Sequence, residues 1–402
     1  MGLVPKKIKM KSMQQDIWFT PEGIEDLLPS QAEKLEVYRQ RLLDQLKLFG
    51  YQQVLPPIAE FTDSLLTGTG YKLALDTCRF TDNESGRMMG VRADMTPQVA
   101  RIVSNRIKPK SLARLCYVGE VLKSRNNKAK GSRSPIQVGA ELFGHCGIES
   151  DIEVVDLMVH CARSLNLPSL QISLGHVDIV QALMDSANFD SQAQTKLVDI
   201  LKRKALPEYQ AWLSEQNMDA NMADVFSNLP MLCGDASTVL EQASKTLLGV
   251  SKRIDQALQH LSEMCSFIDQ VHGISVHLDL IDLRGFQYHT GVIFACYSSQ
   301  AHTVLIAKGG RYDQVCSAFG EDHPATGFSI DLRNLLDSLP DIEDRVQRTV
   351  YAPFSQDYDL YQMIQQLRSD GVRVVRYAQE SDKPEQAECL EFIDGQWQIN
   401  AN

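Results

Sequence analysis

Apolar side chains recur at spacings of three and four at Leu35, Tyr38, Leu42, Leu46 and Phe49, and Gly50 follows at once. That period lays them along one stripe of a helix. Ser30, three residues ahead of Glu33, predicts a capping box at its start, and Gly50 predicts its stop. Residues 51–55 then read as a strand halted by Pro56-Pro57. A second periodic helix is expected over 151–165, with Val155, Leu157, Met158 and Cys161 inward, followed by a strand over 170–174. From about 179 to 270 the pattern is mainly helical, broken at Pro207, Pro230 and Gly234. Strands resume at 277–280, in the apolar run that ends at Phe294, and over 303–307. Beyond Pro340 the signals are short: a strand at 349–352, a helix at 360–367, a strand at 372–377, and a hairpin turning at Asp394-Gly395.

Composition narrows the class. With 402 residues, 44% hydrophobic and 23% charged, the chain can bury a sizeable core and should hold two or three domains. Residues 1–15 are rich in Lys and Met and read as a disordered lead-in, while 16–340 and 341–402 read as a large and a small domain. No apolar run is long enough to span a bilayer, so no membrane is expected and the protein should be cytoplasmic. Nine cysteines without a Cys-x-x-Cys pair read as reduced, packed thiols, with no metal site expected. A formal charge of -11 argues against extended contact with a nucleic-acid backbone. One stretch departs from it: between Arg101 and Arg133 there are ten Lys or Arg and one acid, Glu120. Lys123, Arg125, Lys128, Lys130 and Arg133 form its densest part, which fits a solvated loop or a contact for phosphate or an acidic partner.

The chemistry gathers in two segments. Arg284-Gly285 runs into Tyr288, His289, Thr290 and Gly291 and then a β-branched strand, and Gly309-Gly310-Arg311-Tyr312-Asp313 follows a second strand. Paired glycines permit a tight turn and close approach of a ligand, so together these read as a strand pair carrying a pocket for a small polar molecule. Upstream, Thr96-Pro97 suits a helix start, and Asp94 beside it places a carboxylate where an ammonium could be held. Gln137 can serve an ammonium or a carboxylate, and Glu141 can accept from an imidazole N–H. Taken singly, Asp94 also fits a surface cap, and Gln137 and Glu141 fit polar positions at a strand edge.

These segments resemble the histidyl-tRNA synthetases, whose recognition segment reads close to Arg-Gly-Leu-Asp-Tyr-Tyr-Thr-Gly. Arg284, Gly285, Tyr288, Thr290 and Gly291 match it, and Phe286, Gln287 and His289 depart. The helix, Gly50, strand and Pro57 are similar to motif 1 of class II synthetases, a dimer interface in that family. Arg92-Ala93-Asp94-Met95-Thr96 resembles the segment Arg-Pro-Glu-Gly-Thr. The resemblance implies an α+β class II synthetase-like fold, an antiparallel sheet flanked by helices, with a helical insertion at about 179–270. It further implies histidine held by Asp94, Thr96, Gln137, Glu141, Arg284, Tyr288 and His289, with Gly309, Gly310, Arg311 and Tyr312 around them.

The nucleotide half of the resemblance is eroded. Motif 2 would place an arginine where Lys123 stands and a glutamate where Arg125 stands; motif 3 would place its adenine-stacking arginine at Asn334. Lysine lacks the bidentate fork and asparagine lacks the charge. A tail of roughly sixty residues is too short for a complete anticodon-binding domain. The pattern is similar to the regulatory subunits of ATP phosphoribosyltransferase. That implies a non-catalytic homodimer within a hetero-oligomer, which binds and activates a short catalytic chain and confers feedback inhibition by L-histidine at the first step of histidine biosynthesis. No tRNA and no cofactor are expected. A divergent histidyl-tRNA synthetase and a stand-alone histidine sensor are the alternatives.

Overall fold

The computed structural model describes residues 19–68, 70–125, 131–286, 288–299, 302–342 and 348–401. Helix α1 (Pro29–Leu48) buries Leu35, Tyr38, Leu42 and Leu46, as the stripe requires. Its start corrects the expected capping box: Leu28, not Ser30, is the N-cap, and the Gln31 side chain accepts from Leu28 N–H at 3.3 Å. Pro29 explains the earlier start, because its fixed φ suits the first turn and it has no N–H to satisfy. Gly50, at φ 80°, closes the helix in the left-handed region.

The expected strand at 51–55 shrinks to β1 (Gln52–Gln53), although Val54 N–H still reaches Cys116 O. A small sheet follows, made of β2 (Ala59–Phe61), β3 (Cys78–Thr81) and β4 (Met88–Val91), with short helices α2 (Thr62–Leu65) and α3 (Tyr71–Asp76) between. Then come α4 (Thr96–Ile102), β5 (Ala113–Glu120), β6 (Ile136–Phe143), α5 (Ile148–Ser164) and β7 (Leu170–His176).

The helical stretch comprises α6 (Val177–Ser186), α7 (Ser191–Lys202), α8 (Leu206–Ser214), α9 (Ala220–Asn228), α10 (Ala236–Leu247) and α11 (Lys252–Phe267). Helices are interrupted near the expected residues. Pro207 lies in the first turn of α8, and Gly234 lies in a strand, β8 (Cys233–Asp235). The strands β9 (Val276–Asp279), β10 (Val292–Ser299), β11 (Thr303–Arg311) and β12 (Ala325–Asp331) and the short helix α12 (Leu332–Leu335) complete this unit.

Nine strands join in the order β1-β5-β6-β12-β11-β10-β7-β9-β8. Only the β1–β5 and β7–β9 pairs are parallel. Helices α1 and α5 pack together, and α5 lies across β10, β11 and β12. The opposite face carries a second core of Met95, Val99, Val103, Leu115, Tyr117, Phe143, Tyr312 and Val315, and the candidate site opens within it.

The chain divides into two compact units, with the boundary between Pro340 and Asp341. The second unit contains β13 (Thr349–Pro353), α13 (Tyr358–Ser369), β14 (Arg373–Tyr377), β15 (Glu388–Ile393) and β16 (Gln396–Ala401), with strand order β14-β13-β15-β16. Val350, Ala352, Leu360, Ile364, Val374 and Leu390 form its core. Asp394 at φ 49° and Gly395 at φ 80° turn the hairpin, the two left-handed residues that a type I′ turn needs.

Candidate ligand-binding site

Side chains directly opposite across antiparallel strands share a face. One row across the sheet is therefore Leu115, Glu141, Gly327, Gly310 and Ile293, and the neighbouring pair is Tyr117 opposite Gly139. Glycine at three of these positions leaves the floor open. A Cβ on Gly139 would overlap the Tyr117 ring, and one on Gly327 would overlap the Glu141 carboxylate. Gly139 and Gly327 are thus the negative imprint of the Tyr117 and Glu141 side chains.

Glu141 is 1% exposed. Its Oε1 accepts from Thr96 Oγ1 at 2.8 Å and from Tyr117 Oη at 3.0 Å, and its Oε2 accepts from Tyr312 Oη. Burial raises its carboxyl to about 8, against the three hydroxyl donors, which favour the anion. Burial likewise pushes the phenols of Tyr117, Tyr288 and Tyr312 well above their usual value, so they remain neutral donors.

Asp94 stands beside this centre. Its Oδ1 accepts from Thr96 N–H at 3.0 Å and from Gln137 Nε2 at 3.1 Å, while Gln137 Oε1 accepts from Met95 N–H at 3.0 Å. Thr96, opening α4, therefore ties both carboxylates together. Tyr288 stacks on Tyr312 with ring centroids 5.1 Å apart and meets His289 edge-on at 5.2 Å. The Tyr288 hydroxyl is buried without a hydrogen-bond partner, which a ligand could supply. The His289 ring lies against Gly285 and Gly310, with Nδ1 3.3 Å from Arg311 O, and burial lowers its basicity to about 4. His289 is thus a neutral wall at ordinary pH.

Asp94, Thr96, Gln137, Glu141, Tyr288, Tyr312, His289 and Gly310 come together as the sequence suggested. Gly309 and Arg311 do not: strand alternation turns them to the opposite face. Gly309 leaves room for the Phe294 ring, and the Arg311 guanidinium points towards α5. Arg284 is bound by Asp282, with Nε at 2.6 Å from Oδ2, and by Tyr297 Oη at 2.8 Å. Its charge is neutralised outside the carboxylate cluster. Tyr117 is the residue that sequence reasoning missed, and a glycine directly across the β5–β6 pair was its signal.

The segments that match the nucleotide motifs are bound differently. Arg92 donates to the carbonyls of Glu120 and Pro56, each at 2.8 Å. Arg125 pairs with Asp76 at 2.8 Å, and Arg133 donates to Lys123 O and Glu22 O. Arg333 binds Ser134 and Glu25 O, and Asn334 binds Asp331. These four guanidinium groups are thus each held by the protein itself, while the Arg125 side chain stays about half exposed. The Lys123 main chain bridges to Thr77 and Arg133. Lys128 and Lys130 lie outside the described residues. All nine cysteines are free, and the described residues contain no cluster suited to a metal ion. Among the described residues no helix is long and apolar enough to cross a membrane.

An antiparallel sheet flanked by helices, carrying the buried Glu141, the half-buried Asp94, an amide and stacked tyrosines over a glycine floor, defines a class II synthetase-like fold. The same architecture occurs in a protein described as an ATP phosphoribosyltransferase regulatory subunit/histidyl-tRNA synthetase from Bacillus halodurans C, with a TM-score of 0.79 at 24% identity, covering 90% of this chain and 93% of that one. A histidyl-tRNA synthetase from Nostoc sp. gives a TM-score of 0.73 at 17% identity, covering 93% and 91%. The histidyl-tRNA synthetase family profile matches residues 23–335, and that of the ATP phosphoribosyltransferase subunit HisZ C-terminal domain matches 347–400. Relatives named ATP phosphoribosyltransferase regulatory subunit include one from Hydrogenovibrio crunogenus, 52% identical over 96% of this chain and 99% of its own, and one from Thioalkalivibrio sulfidiphilus, 43% identical over 89% and 91%. The chain belongs to the ATP phosphoribosyltransferase regulatory subunit family, on a class II synthetase-like fold.

Proposed function

We propose that this chain is a non-catalytic histidine sensor, which binds and activates a short catalytic ATP phosphoribosyltransferase chain and transmits feedback inhibition by L-histidine. The carrying observation is the asymmetry of the site. The half-buried Asp94 carboxylate and the unpartnered Tyr288 hydroxyl can meet a ligand beside Gln137 and Glu141, which are hydrogen-bonded within the site, while the arginines of the segments that match the nucleotide motifs are bound to carbonyls, Ser134 or Asp76. Asp94 and Gln137 would hold the α-ammonium, and Glu141 would accept from a ring N–H. Such a site recognises the amino acid without the charge needed to stabilise a phosphoryl transition state.

A homodimer fits the groove lined by Leu55, Pro56, Pro57, Phe61, Met89 and Ile102. Leu55 is 77% exposed and the nearby Ile58 56%, an apolar patch that a second copy would cover. The synthetase profile over 23–335 favours one other reading, a divergent enzyme that adenylates histidine. Calorimetry with L-histidine and ATP–pyrophosphate exchange on the same preparation separate the two. Binding without exchange is expected. Robust exchange would transfer the assignment to the synthetase reading, and absence of binding would remove the sensor. Activation is tested by adding the chain to a purified short phosphoribosyltransferase and following its rate with and without histidine.

A further inference from the structure

Beneath the site, on the α5 face of the sheet, lies a buried polar cluster that the pocket itself does not use. Asp151, in the first turn of α5, has no exposure. Its Oδ2 sits 3.0 Å from Arg311 Nε and 3.2 Å from Nε2 of His260, which α11 supplies. Arg311 also donates to Ser150 Oγ at 2.8 Å, to His145 O at 3.1 Å, and to Gly147 O and Asp313 at 3.2 Å. Gly291 permits this, since a Cβ there would press on the Arg311 side chain at 3.1 Å.

The main chain of Arg311 faces the pocket wall. Its carbonyl accepts from Thr290 N–H at 2.8 Å and stands 3.3 Å from His289 Nδ1. The next residue is Tyr312, whose hydroxyl holds Glu141. One residue therefore joins α5 and, through Asp151, α11 to the elements that shape the ligand cavity.

The cluster is incompletely satisfied. Asp151 Oδ1, His260 Nε2 and His176 Nδ1 are buried with no hydrogen-bond partner, and the His260 and His176 rings lie 5.7 Å apart. His260 Nε2 is within ion-pair distance of Asp151 but poorly aligned with it. Unpaired polar atoms in a low-dielectric interior are costly, so a small shift of α11 that aligned His260 with Asp151 would redistribute the hold on Arg311. A packed element with two competing arrangements is the physical requirement for coupling between sites.

We infer that Arg311 and Asp151 are positioning residues for the pocket, and that His260 makes the pocket's histidine affinity depend on the seating of α11. This rests on the histidine-binding reading above. It gives the helical stretch a role beyond packing, as a lever through which contacts on α11 and histidine influence one another reciprocally.

Calorimetric titration of L-histidine into the full chain tests it, because the fitted stoichiometry reports the folded fraction and the Kd reports the folded molecules alone. Asp151→Asn and His260→Leu should each weaken Kd about three- to twentyfold, the range expected for residues coupled to a site they do not touch. His260→Gln, whose amide can occupy the Nε2 position, should stay within about twofold of the parent. The double variant Asp151→Asn/His260→Leu should be no weaker than Asp151→Asn alone, since both remove one interaction. Variants that lose stoichiometry at unchanged Kd would reduce the cluster to a structural role and overturn the inference. Equal losses for His260→Leu and His260→Gln would overturn it too. A parent chain that binds no histidine would overturn the sensor reading as well, so the two failures are distinct.

Discussion

The hydroxyl of Tyr312 donates to the carboxylate of Glu141 across 171 residues of sequence. Tyr312 follows the end of β11 and Glu141 lies in β6, two strands away in the sheet, with Gly327 of β12 between them. The contact exists only because the strand between has no side chain there.

Glu141 should make stability depend on pH in an unusual direction. Its carboxyl is raised from 4.5 to about 8 in the folded chain, so the native state binds the proton more tightly than the unfolded one. The protonated acid thus favours folding below the ordinary value, and that advantage is lost as pH rises through the raised one. Compared with Glu141→Gln, the ligand-free parent should lose stability progressively between about pH 4.5 and 8. Urea denaturation of both proteins across that range checks the difference; parallel curves would show that Glu141 is ionised throughout.

Gly327→Ala should be more damaging than an ordinary glycine replacement on a strand. The added methyl would overlap the Glu141 carboxylate and meet the Ala140 carbonyl, both held by the sheet. Overpacking of this kind costs about 1–3 kcal/mol. Histidine binding should fall with it, because Glu141 must move. Denaturant midpoints and calorimetry on one preparation read both effects, and unaltered binding would mean that Glu141 lies outside the ligand site.

Asp94→Asn preserves shape and a carbonyl acceptor for Thr96 and removes only the charge. Loss of a charged hydrogen-bond partner is worth about 1.5–3 kcal/mol, so histidine affinity should drop about ten- to hundredfold. The pocket should still assemble, because Gln137 Oε1 remains bonded to Met95 N–H. An Asp94→Asn protein as histidine-sensitive as the parent would place the α-ammonium elsewhere.

Leu55→Asp should weaken self-association. Leu55 is 77% exposed beside a groove lined by Pro56, Pro57 and Phe61, and a buried unpaired carboxylate there would oppose a second copy. Sedimentation of parent and variant over a range of concentrations gives the answer. An unchanged association constant would move the dimer interface away from this groove.

Much of the site was legible because its chemistry clusters in short segments. Asp94 and Thr96 are two apart, Gln137 and Glu141 four apart, and Tyr288 and His289 adjacent. The errors came where side-chain direction decides the role. Gly309 and Gly310 look equivalent in sequence, yet only Gly310 faces the pocket, because successive strand residues point to opposite faces. Arg311 was assigned to the pocket for the same reason and instead serves its underside. Tyr117 was not singled out, yet its hydroxyl holds Glu141 across the β5–β6 pair.

Local signals fixed the apolar stripe of α1 and its stop at Gly50, the Asp394-Gly395 hairpin and the opening of α4, because turns and periodic apolar stripes act over a few residues, whereas the cap of α1 fell at Leu28 rather than at the expected Ser30. The sequence by itself also determined which groups were on hand: two carboxylates, an amide, tyrosines and a surplus of arginines. Only the tertiary structure decided which were free to meet a ligand. Arg125 could reach phosphate as readily as Asp76 when judged by composition, and the fold brings it to Asp76, 49 residues away. Strand register and pairwise charge neutralisation are long-range choices, and no short window of residues contains them.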